Sequence, residues 1–330
     1  MVRWSYAALL PLGAAPLGLA VACGAFDGAE AAATDGGVDA TASDGSPAPD
    51  ATADGGAGRC DPFAPFSTPS KVAGIADTNE VALQATLSAD EKTLYFFRSK
   101  NGENIGRIVM STRASTGEAF GPGVVVATSP DGGTYATPAV TPDALTVLLT
   151  DIRGGSSGAV TSQKIVRGTR ADVAGTFGGF TSVGELDSIG AFTTHPALAR
   201  GGLVLYVTSG ACLASRTAWR GSRPTLDAPF SGFVELAVGN PGEEIATPVP
   251  SDDDEVLYFS TRAPSSTKYT MYVTRRTSPG GAFGTARPVT ELQVADQVFP
   301  AWLSSDRCRL YFTGGTAYPD HAMYIATRKP

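Results

Sequence analysis

The chain has 330 residues, with 25 Lys and Arg against 32 Asp and Glu, a net charge of −7, and 42% hydrophobic residues. Residues 60–330 carry a net charge of only about −2 and no run of basic residues. That balance argues against nucleic acid as a partner, because binding to phosphate backbones needs clustered Lys and Arg.

The first 22 residues have the pattern of a secretory signal peptide. Arg3 precedes an apolar stretch that ends in small residues, which is too short for a membrane-spanning helix of the mature protein. Residues 19–23, LAVAC, resemble a bacterial lipobox, with Ala20 where leucine is usual. The resemblance implies lipidation of Cys23 and, with Gly24 following it, an outer-membrane location. Residues 20–22 also fit an ordinary cleavage site, which would give a secreted or periplasmic soluble protein.

Residues 23–59 are almost entirely Ala, Gly, Asp, Thr, Ser and Pro. Such a segment buries too little apolar surface to offset the entropy of ordering it. We expect a disordered acidic tether between the lipidated Cys23 and the folded domain.

A repeat begins after the tether. Four segments share a hydroxyl residue, an Asp two positions later, and an apolar triplet starting four positions after the Asp. The aspartates are Asp90, Asp143, Asp253 and Asp306, and a fifth copy has Gly201 at that position. Successive copies are 53, 58, 52 and 53 residues apart. A period near 50 residues with short strands and turn residues is typical of β-propellers.

Each copy continues with a strand that ends on arginine and then, in four copies, a strand that starts with phenylalanine. The arginines are assigned as Arg113, Arg170, Arg216, Arg276 and Arg328. The Phe residue follows seven positions later in three copies, and fourteen positions later in the third copy. With the strand before each Asp, this gives four antiparallel strands per blade.

The fifth copy ends after its third strand. Residues 66–72, FSTPSKV, align with residues 283–289, FGTARPV, and supply the missing strand. The sequence therefore predicts an all-β, five-bladed propeller over residues 60–330, closed by an N-terminal strand in the last blade. The predicted blades cover 76–133, 134–190, 191–243, 244–297, and 298–330 together with 63–75.

The repeat outline is similar to the TolB-type, WD-like repeat of bacterial envelope proteins. The likeness covers residues 66–330 and implies a propeller with an envelope-associated binding or scaffolding role. The recurrent Asp is interpreted as a turn residue whose side chain accepts hydrogen bonds from backbone N–H groups two positions on. The recurrent arginines are expected at blade peripheries, solvated or paired with strand neighbours.

Cys60 precedes the closing strand and Cys308 precedes the second strand of the same blade. In an oxidising compartment we expect these two residues to form a disulfide. Cys212 has no evident partner in the sequence.

Loops that precede the innermost strands of a propeller converge at the mouth of its channel. Ligand-binding residues are predicted there, as Glu80, Tyr135, His195, Glu244 and Gln297. We expect no cofactor, no metal site and no catalytic residue.

The leading hypothesis is a non-enzymatic, monomeric lipoprotein that binds an envelope protein or peptide, with its lipid as the only membrane contact. The alternative is a carbohydrate-binding or glycoside-hydrolase-like propeller that would use Glu80, Glu243, Glu244 and Asp296. Two carboxylates about 5 to 10 Å apart in the channel would favour that alternative.

Overall fold

The computed structural model describes residues 58–75, 80–100, 106–154, 160–211, 216–278, 280–316 and 320–329. The signal peptide, Cys23 and almost all of the tether lie outside these ranges, as does Cys212. Within them, regular structure consists of antiparallel strands and three one-turn 3-10 helices, Gly184–Leu186, Arg200–Gly202 and Thr290–Leu292. No helix in this part of the chain has the length and apolar character needed to cross a bilayer.

The twenty described strands form three four-stranded sheets and one eight-stranded sheet, in which a short parallel pairing of Phe192 with Gln163 joins two groups of four. The strands are grouped here into five units of four, numbered from the N-terminus. Unit 1 contains β2 (Glu80–Leu87), β3 (Thr93–Lys100), β4 (Arg107–Thr112) and β5 (Val124–Thr128). Unit 2 contains β6 (Thr134–Val140), β7 (Thr146–Gly154), β8 (Val160–Thr169) and β9 (Gly178–Ser182). Unit 3 contains β10 (Phe192–Ala199), β11 (Val204–Gly210), β12 (Thr217–Ser222) and β13 (Ser231–Glu235).

The last two units follow the same order. Unit 4 contains β14 (Glu244–Pro250), β15 (Val256–Arg262), β16 (Thr270–Arg275) and β17 (Arg287–Pro288). Unit 5 contains β18 (Gln297–Leu303), β19 (Arg309–Gly315), β20 (Ala322–Thr327) and the N-terminal β1 (Ser70–Lys71). Strand β1 pairs antiparallel with β20, as the alignment of residues 66–72 predicts.

The first strands of the units lie side by side in chain order. Strand β2 contacts β6, β6 contacts β10, β10 contacts β14, β14 contacts β18, and β18 contacts β2. Each apolar core cluster is built mainly from two neighbouring units, including one between unit 5 and unit 1. The packing therefore runs around a central axis, and the fold is β-propeller-like.

The recurrent aspartates form the turns that the sequence predicts. Asp90 Oδ1 accepts from the Ser88 hydroxyl at 2.6 Å and from the Lys92 N–H at 3.1 Å. These two hydrogen bonds lower the pKa of the Asp90 carboxyl. The N–H groups of Leu145, Glu255 and Cys308 make the equivalent bonds in units 2, 4 and 5. Each turn thus satisfies its own backbone donors without help from solvent.

In the third unit, the structure identifies a different recurrent arginine from the one assigned from the sequence. Strand β12 starts after Arg216 and is followed by Arg223, whose N–H donates to Leu203 as the recurrent arginines do elsewhere. Arg223 lies seven residues before Phe230, which restores the common spacing. Arg216 instead pairs with Glu244 in the interior. The assignment to Arg216 was wrong, because Arg223 lies 22 residues after Gly201, which matches the 22 to 27 residues between the recurrent Asp and Arg of the other copies.

Candidate functional site

A cavity lies on the central axis, at the ends where the first strands run into their turns. Its volume is about 560 Å³, within the range typical of ligand pockets. Every unit contributes to the wall, and representative contributors are Leu87, Val140, Leu198, Pro250 and Trp302.

The chemistry of this cavity is apolar with scattered hydroxyl groups. The hydroxyls belong to residues such as Thr86, Ser88 and Thr141. Among the described lining residues, Asp252 alone carries a charge. Asp252 Oδ1 accepts from the Gly201 N–H at 3.1 Å, so part of its role is to support a turn of unit 3. The wall is thus suited to binding apolar groups, and it holds no pair of carboxylates.

The cavity narrows along the axis to a constriction of about 30 Å³. Polar residues from four first strands line it: Gln84, Thr137, His195 and Thr247. The cavity and the constriction share lining residues, namely Pro138, Pro196, Ala197, Val249 and Ala301. The two spaces are therefore adjacent along the axis, and together they are called the channel below.

Those four polar residues occupy the same position in their strands and have left-handed backbone. Their φ values are 51° for Gln84, 49° for Thr137, 54° for His195 and 48° for Thr247. Each sits where the pairing of the first and second strands shifts by a β-bulge. Such a conformation is uncommon for residues with a side chain and costs about 1–3 kcal/mol each. The tight packing of the first strands maintains it.

The side chains of two of the four have hydrogen-bond partners in the described part of the protein, and the Gln84 backbone N–H donates to the Thr313 hydroxyl at 3.1 Å. The Thr137 hydroxyl bonds to the Thr150 hydroxyl, and His195 Nδ1 bonds to the Thr208 hydroxyl at 3.2 Å. Burial, and then the nearby charge of Arg216, lowers the pKa of His195 well below its usual value. The imidazole is therefore neutral at pH 7.

Of the five predicted ligand residues, His195 alone lines the described channel. Glu80 pairs with Arg98 at 3.5 Å, and the Tyr135 ring packs on Phe180 with centroids 4.6 Å apart. Gln297 Oε1 accepts a hydrogen bond from His321 Nε2 at 3.0 Å. No hydrogen bond described here joins one of the five to another. Ligand binding by these residues stays a prediction.

Glu244, the remaining predicted residue, is the centre of a buried charge network between units 3 and 4. Its side chain is 2% exposed, and it pairs with Arg216 and, at 2.6 Å, with Arg262. The Tyr269 hydroxyl donates to Glu244 Oε2 at 2.7 Å. These groups satisfy one another, which is how a buried carboxylate is tolerated.

Arginines also pair with two of the acidic residues at positions 252–254. Asp253 pairs with Arg59 at 2.8 Å and with Arg307, while Asp254 pairs with Arg220 at 2.6 Å and with Arg276. Within the described ranges no group of three or more His, Cys, Asp or Glu side chains could hold a metal ion.

No protein-family model and no curated protein matches the sequence. Solved structures do match the fold. A protein of unknown function from Dyadobacter fermentans has a TM-score of 0.52 and 9% identity, and the match covers 79% of this chain and 100% of that one. A family 117 glycoside hydrolase from Zobellia galactanivorans has a TM-score of 0.51 and 14% identity, with 80% and 90% covered. At such identities the likeness concerns the fold alone.

TolB from Acinetobacter baumannii is also among the structural neighbours. Its TM-score is 0.48 at 14% identity, and the match covers 75% of this chain. This chain spans 55% of the length of that TolB.

Sequence reasoning missed Gln84, Thr137 and Thr247. A signal for two of them was present, because Thr137, His195 and Thr247 each precede a proline in the first strand of a unit. The recurrent proline shows that these positions are equivalent, but a residue before proline usually has extended backbone, so the left-handed φ itself could not be predicted from it. Gln84 lacks that proline and could be found only by aligning its strand with the others.

Proposed function

We propose that the chain is a non-enzymatic cell-envelope lipoprotein whose propeller binds a protein or peptide at the wide end of its channel. The supporting observation is the lining of the 560 Å³ cavity, which is apolar and hydroxyl-bearing and has one described carboxylate. Such a wall favours the burial of apolar side chains over acid–base chemistry.

In this proposal the five units are the blades of a closed ring. The cyclic contacts of the first strands and the pairing of β1 with β20 support it. A signal peptide over residues 1–22, lipidation at Cys23 and a tether to residue 59 would place the domain at the outer membrane as a monomer. An unlipidated, secreted or periplasmic form is the alternative location.

The tether enters the domain next to the cavity. Arg59 Nη1 lies 2.8 Å from Asp253, whose neighbour Asp252 lines the cavity. The wide end of the channel would therefore face the side from which the anchor comes.

A carbohydrate-binding or glycoside-hydrolase-like role is the second candidate. It draws on the fold shared with the family 117 glycoside hydrolase, which has a TM-score of 0.51. A hydrolase of this kind needs a second carboxylate about 5 to 10 Å from the first at the bound sugar. Asp252 would be the first of them, and the described wall offers no second.

Affinity capture from membranes of the source organism, run beside a glycan array, tests the proposal. Val173 lines the cavity and is 56% exposed, so Val173→Asp should place a charge on the apolar rim without disturbing the core. Val234 on β13 is 54% exposed and lies outside the described channel, which makes Val234→Asp the matched control.

We expect the wild-type chain and Val234→Asp to capture the same proteins and Val173→Asp to lose them. Glycan binding without protein capture would replace the proposal with its alternative. Equal capture by both variants would show that the partner binds elsewhere.

A further inference from the structure

Gln84 has a buried carboxamide whose hydrogen-bonding capacity is unused. The residue is 6% exposed and lines the constriction. Neither its Nε2 nor its Oε1 has a hydrogen-bond partner in the described part of the protein. A buried polar group left in this way is destabilising, because it loses its hydration without gaining a hydrogen bond. The strained backbone at the same residue adds to the cost, since its φ is 51°.

Thr247 repeats the situation in unit 4. It is 5% exposed, it lines the same constriction, and no described group bonds to its hydroxyl. Thr137 and His195, at the equivalent positions in units 2 and 3, are bonded to Thr150 and Thr208. The unmet polarity is thus confined to two of these four positions, Gln84 in unit 1 and Thr247 in unit 4, and unit 5 lies between those two units.

The constriction can admit the tip of a ligand whose body lies in the wider cavity. Its volume of about 30 Å³ exceeds the space of a single water molecule and suits a small polar group. The walls continue into the 560 Å³ cavity through Pro138, Pro196 and Ala301. Apolar surface therefore leads directly to the unpartnered carboxamide.

The residues that line the constriction favour a ligand whose end is neutral rather than charged. The Gln84 carboxamide offers N–H donors beside a carbonyl acceptor, and its complement is another amide. No Asp, Glu, Lys or Arg is among the described residues that line this part of the channel. A carboxylate or ammonium tip would lose its hydration there without gaining a counter-charge, which is unfavourable.

We infer that the channel binds a peptide segment whose apolar side chains fill the cavity and whose neutral amide is held by Gln84 and Thr247. This inference rests on the proposed peptide-binding function and specifies its ligand chemistry. The amide is a primary carboxamide, either at a peptide terminus or on an Asn or Gln side chain, because a primary carboxamide offers two N–H donors beside its carbonyl acceptor.

The test uses three probes that differ in one group: N-acetyl-leucinamide, N-acetyl-leucine methyl ester and N-acetyl-leucine. Each is titrated into the full chain, and binding is followed by NMR shifts of the Gln84 side-chain amide and by calorimetry. We expect the amide to bind about tenfold more tightly than the ester, which lacks the terminal donors. The charged acid should bind more weakly still.

Gln84→Met keeps the length of the side chain and removes its amide, so it should reduce binding of the amide probe to the level of the ester. Thr247→Val should weaken it several-fold. Gln293→Met is the matched control, because Gln293 donates to the Tyr269 and Ala295 carbonyls outside the described channel. It should leave the affinity unchanged. Thermal unfolding of each variant shows that it is folded.

Equal affinities for amide and ester, an unchanged affinity in folded Gln84→Met, or no binding to the wild-type chain would each overturn the inference. Membrane-protein capture separates this failure from failure of the proposed function. Capture that survives in Gln84→Met would leave the proposed function standing and the inference wrong. Loss of capture in that variant, together with the amide preference, would support both.

Discussion

In each unit, a buried arginine at the end of the third strand contacts several other segments through its guanidinium group. Arg170 is an example: its Nε donates to the Ala144 carbonyl at 2.7 Å, and its guanidinium lies 4.3 Å above the centre of the Phe177 ring. Its Nη2 donates to the Tyr95 hydroxyl of unit 1 at 2.7 Å. One side chain thus joins a turn, an outer strand and the neighbouring unit.

The same stacking occurs in every unit. The guanidinium-to-ring distances are 4.4 Å for Arg113 on Phe120, 4.3 Å for Arg223 on Phe230, 4.2 Å for Arg276 on Phe283 and 4.1 Å for Arg328 on Phe66. Of the two expectations for these arginines, solvation was wrong because the side chains are buried, whereas pairing with neighbouring segments agrees with these contacts. The planar guanidinium suits the position because it stacks and donates several hydrogen bonds at once.

Replacing Arg170 with lysine should destabilise the fold although the charge is kept. Lysine cannot both stack on the Phe177 ring and donate to the Ala144 carbonyl and the Tyr95 hydroxyl. We therefore expect a loss of about 2–4 kcal/mol in the free energy of unfolding. Denaturant unfolding followed by circular dichroism measures it. Arg167→Lys, at an exposed position of the same strand, is the control and should change stability by about 0.5 kcal/mol or less.

At the scale of the element, the third unit shows how an irregular copy is accommodated. Gly201 stands where the other copies have Asp, so the turn Arg200–Gly202 has no carboxylate of its own. The carboxylate of Asp252 in unit 4 accepts from the Gly201 N–H, and the Asp252 carbonyl accepts from the Arg200 N–H at 2.6 Å. A neighbouring unit therefore supplies the acceptors that the sequence of this copy lacks.

The short N-terminal strand is held in place by nearby side-chain contacts more than by its backbone hydrogen bonds to β20. Strand β1 has two residues, whereas Phe66 just before it is buried under Arg328 and lies 6.2 Å from the Tyr258 ring. The Ser67 N–H also donates to the Thr327 carbonyl at 2.7 Å. The phenylalanine at the start of this segment thus does for unit 5 what Phe120 does for unit 1.

Phe66→Ala should detach this segment and destabilise the domain. We expect a loss of about 3–5 kcal/mol, typical of deleting a buried aromatic side chain, with faster exchange of the Lys71 and Val72 amide protons. Hydrogen exchange and thermal unfolding measure the two effects. Phe63→Ala is the comparison, since Phe63 is 36% exposed, and it should cost about 1 kcal/mol or less. Equal losses in the two variants would contradict the anchoring role of Phe66.

At the scale of the whole molecule, the two ends of the folded region are joined twice. Strand β1 pairs with β20, and the predicted disulfide is present between Cys60 and Cys308, with Cα atoms 5.1 Å apart. The bond spans 248 residues of sequence. Cross-linking such distant residues lowers the conformational entropy of the unfolded chain. In the chain-entropy description this stabilises the folded state by about 5 kcal/mol at most.

Removing this disulfide should lower stability without changing the fold. For the double variant Cys60→Ser, Cys308→Ser we expect a loss of about 2–5 kcal/mol in the free energy of unfolding, with an unchanged circular dichroism spectrum. Reduction of the wild-type chain should produce a loss of the same size. A double variant as stable as the oxidised wild-type chain would show that β1 and its anchors hold the chain ends together alone.

The sequence by itself determined the repeat of four strands, the hydrogen bonds of Asp90 and its equivalents, the place of β1 beside β20, and the Cys60–Cys308 bond. All four follow from local residue patterns at a regular spacing, and such patterns survive in a single sequence. The backbone hydrogen bond from Arg223 to Leu203 identified Arg223, rather than Arg216, as the recurrent arginine of the third unit, although its seven-residue spacing to Phe230 was already regular in the sequence. The packing of the units also placed Glu244 in a buried charge network and put Gln84 and Thr247 among the residues that line the constriction. Those contacts join residues from different units, and they depend on a left-handed backbone and on packing around the axis, which spacing along the chain does not encode.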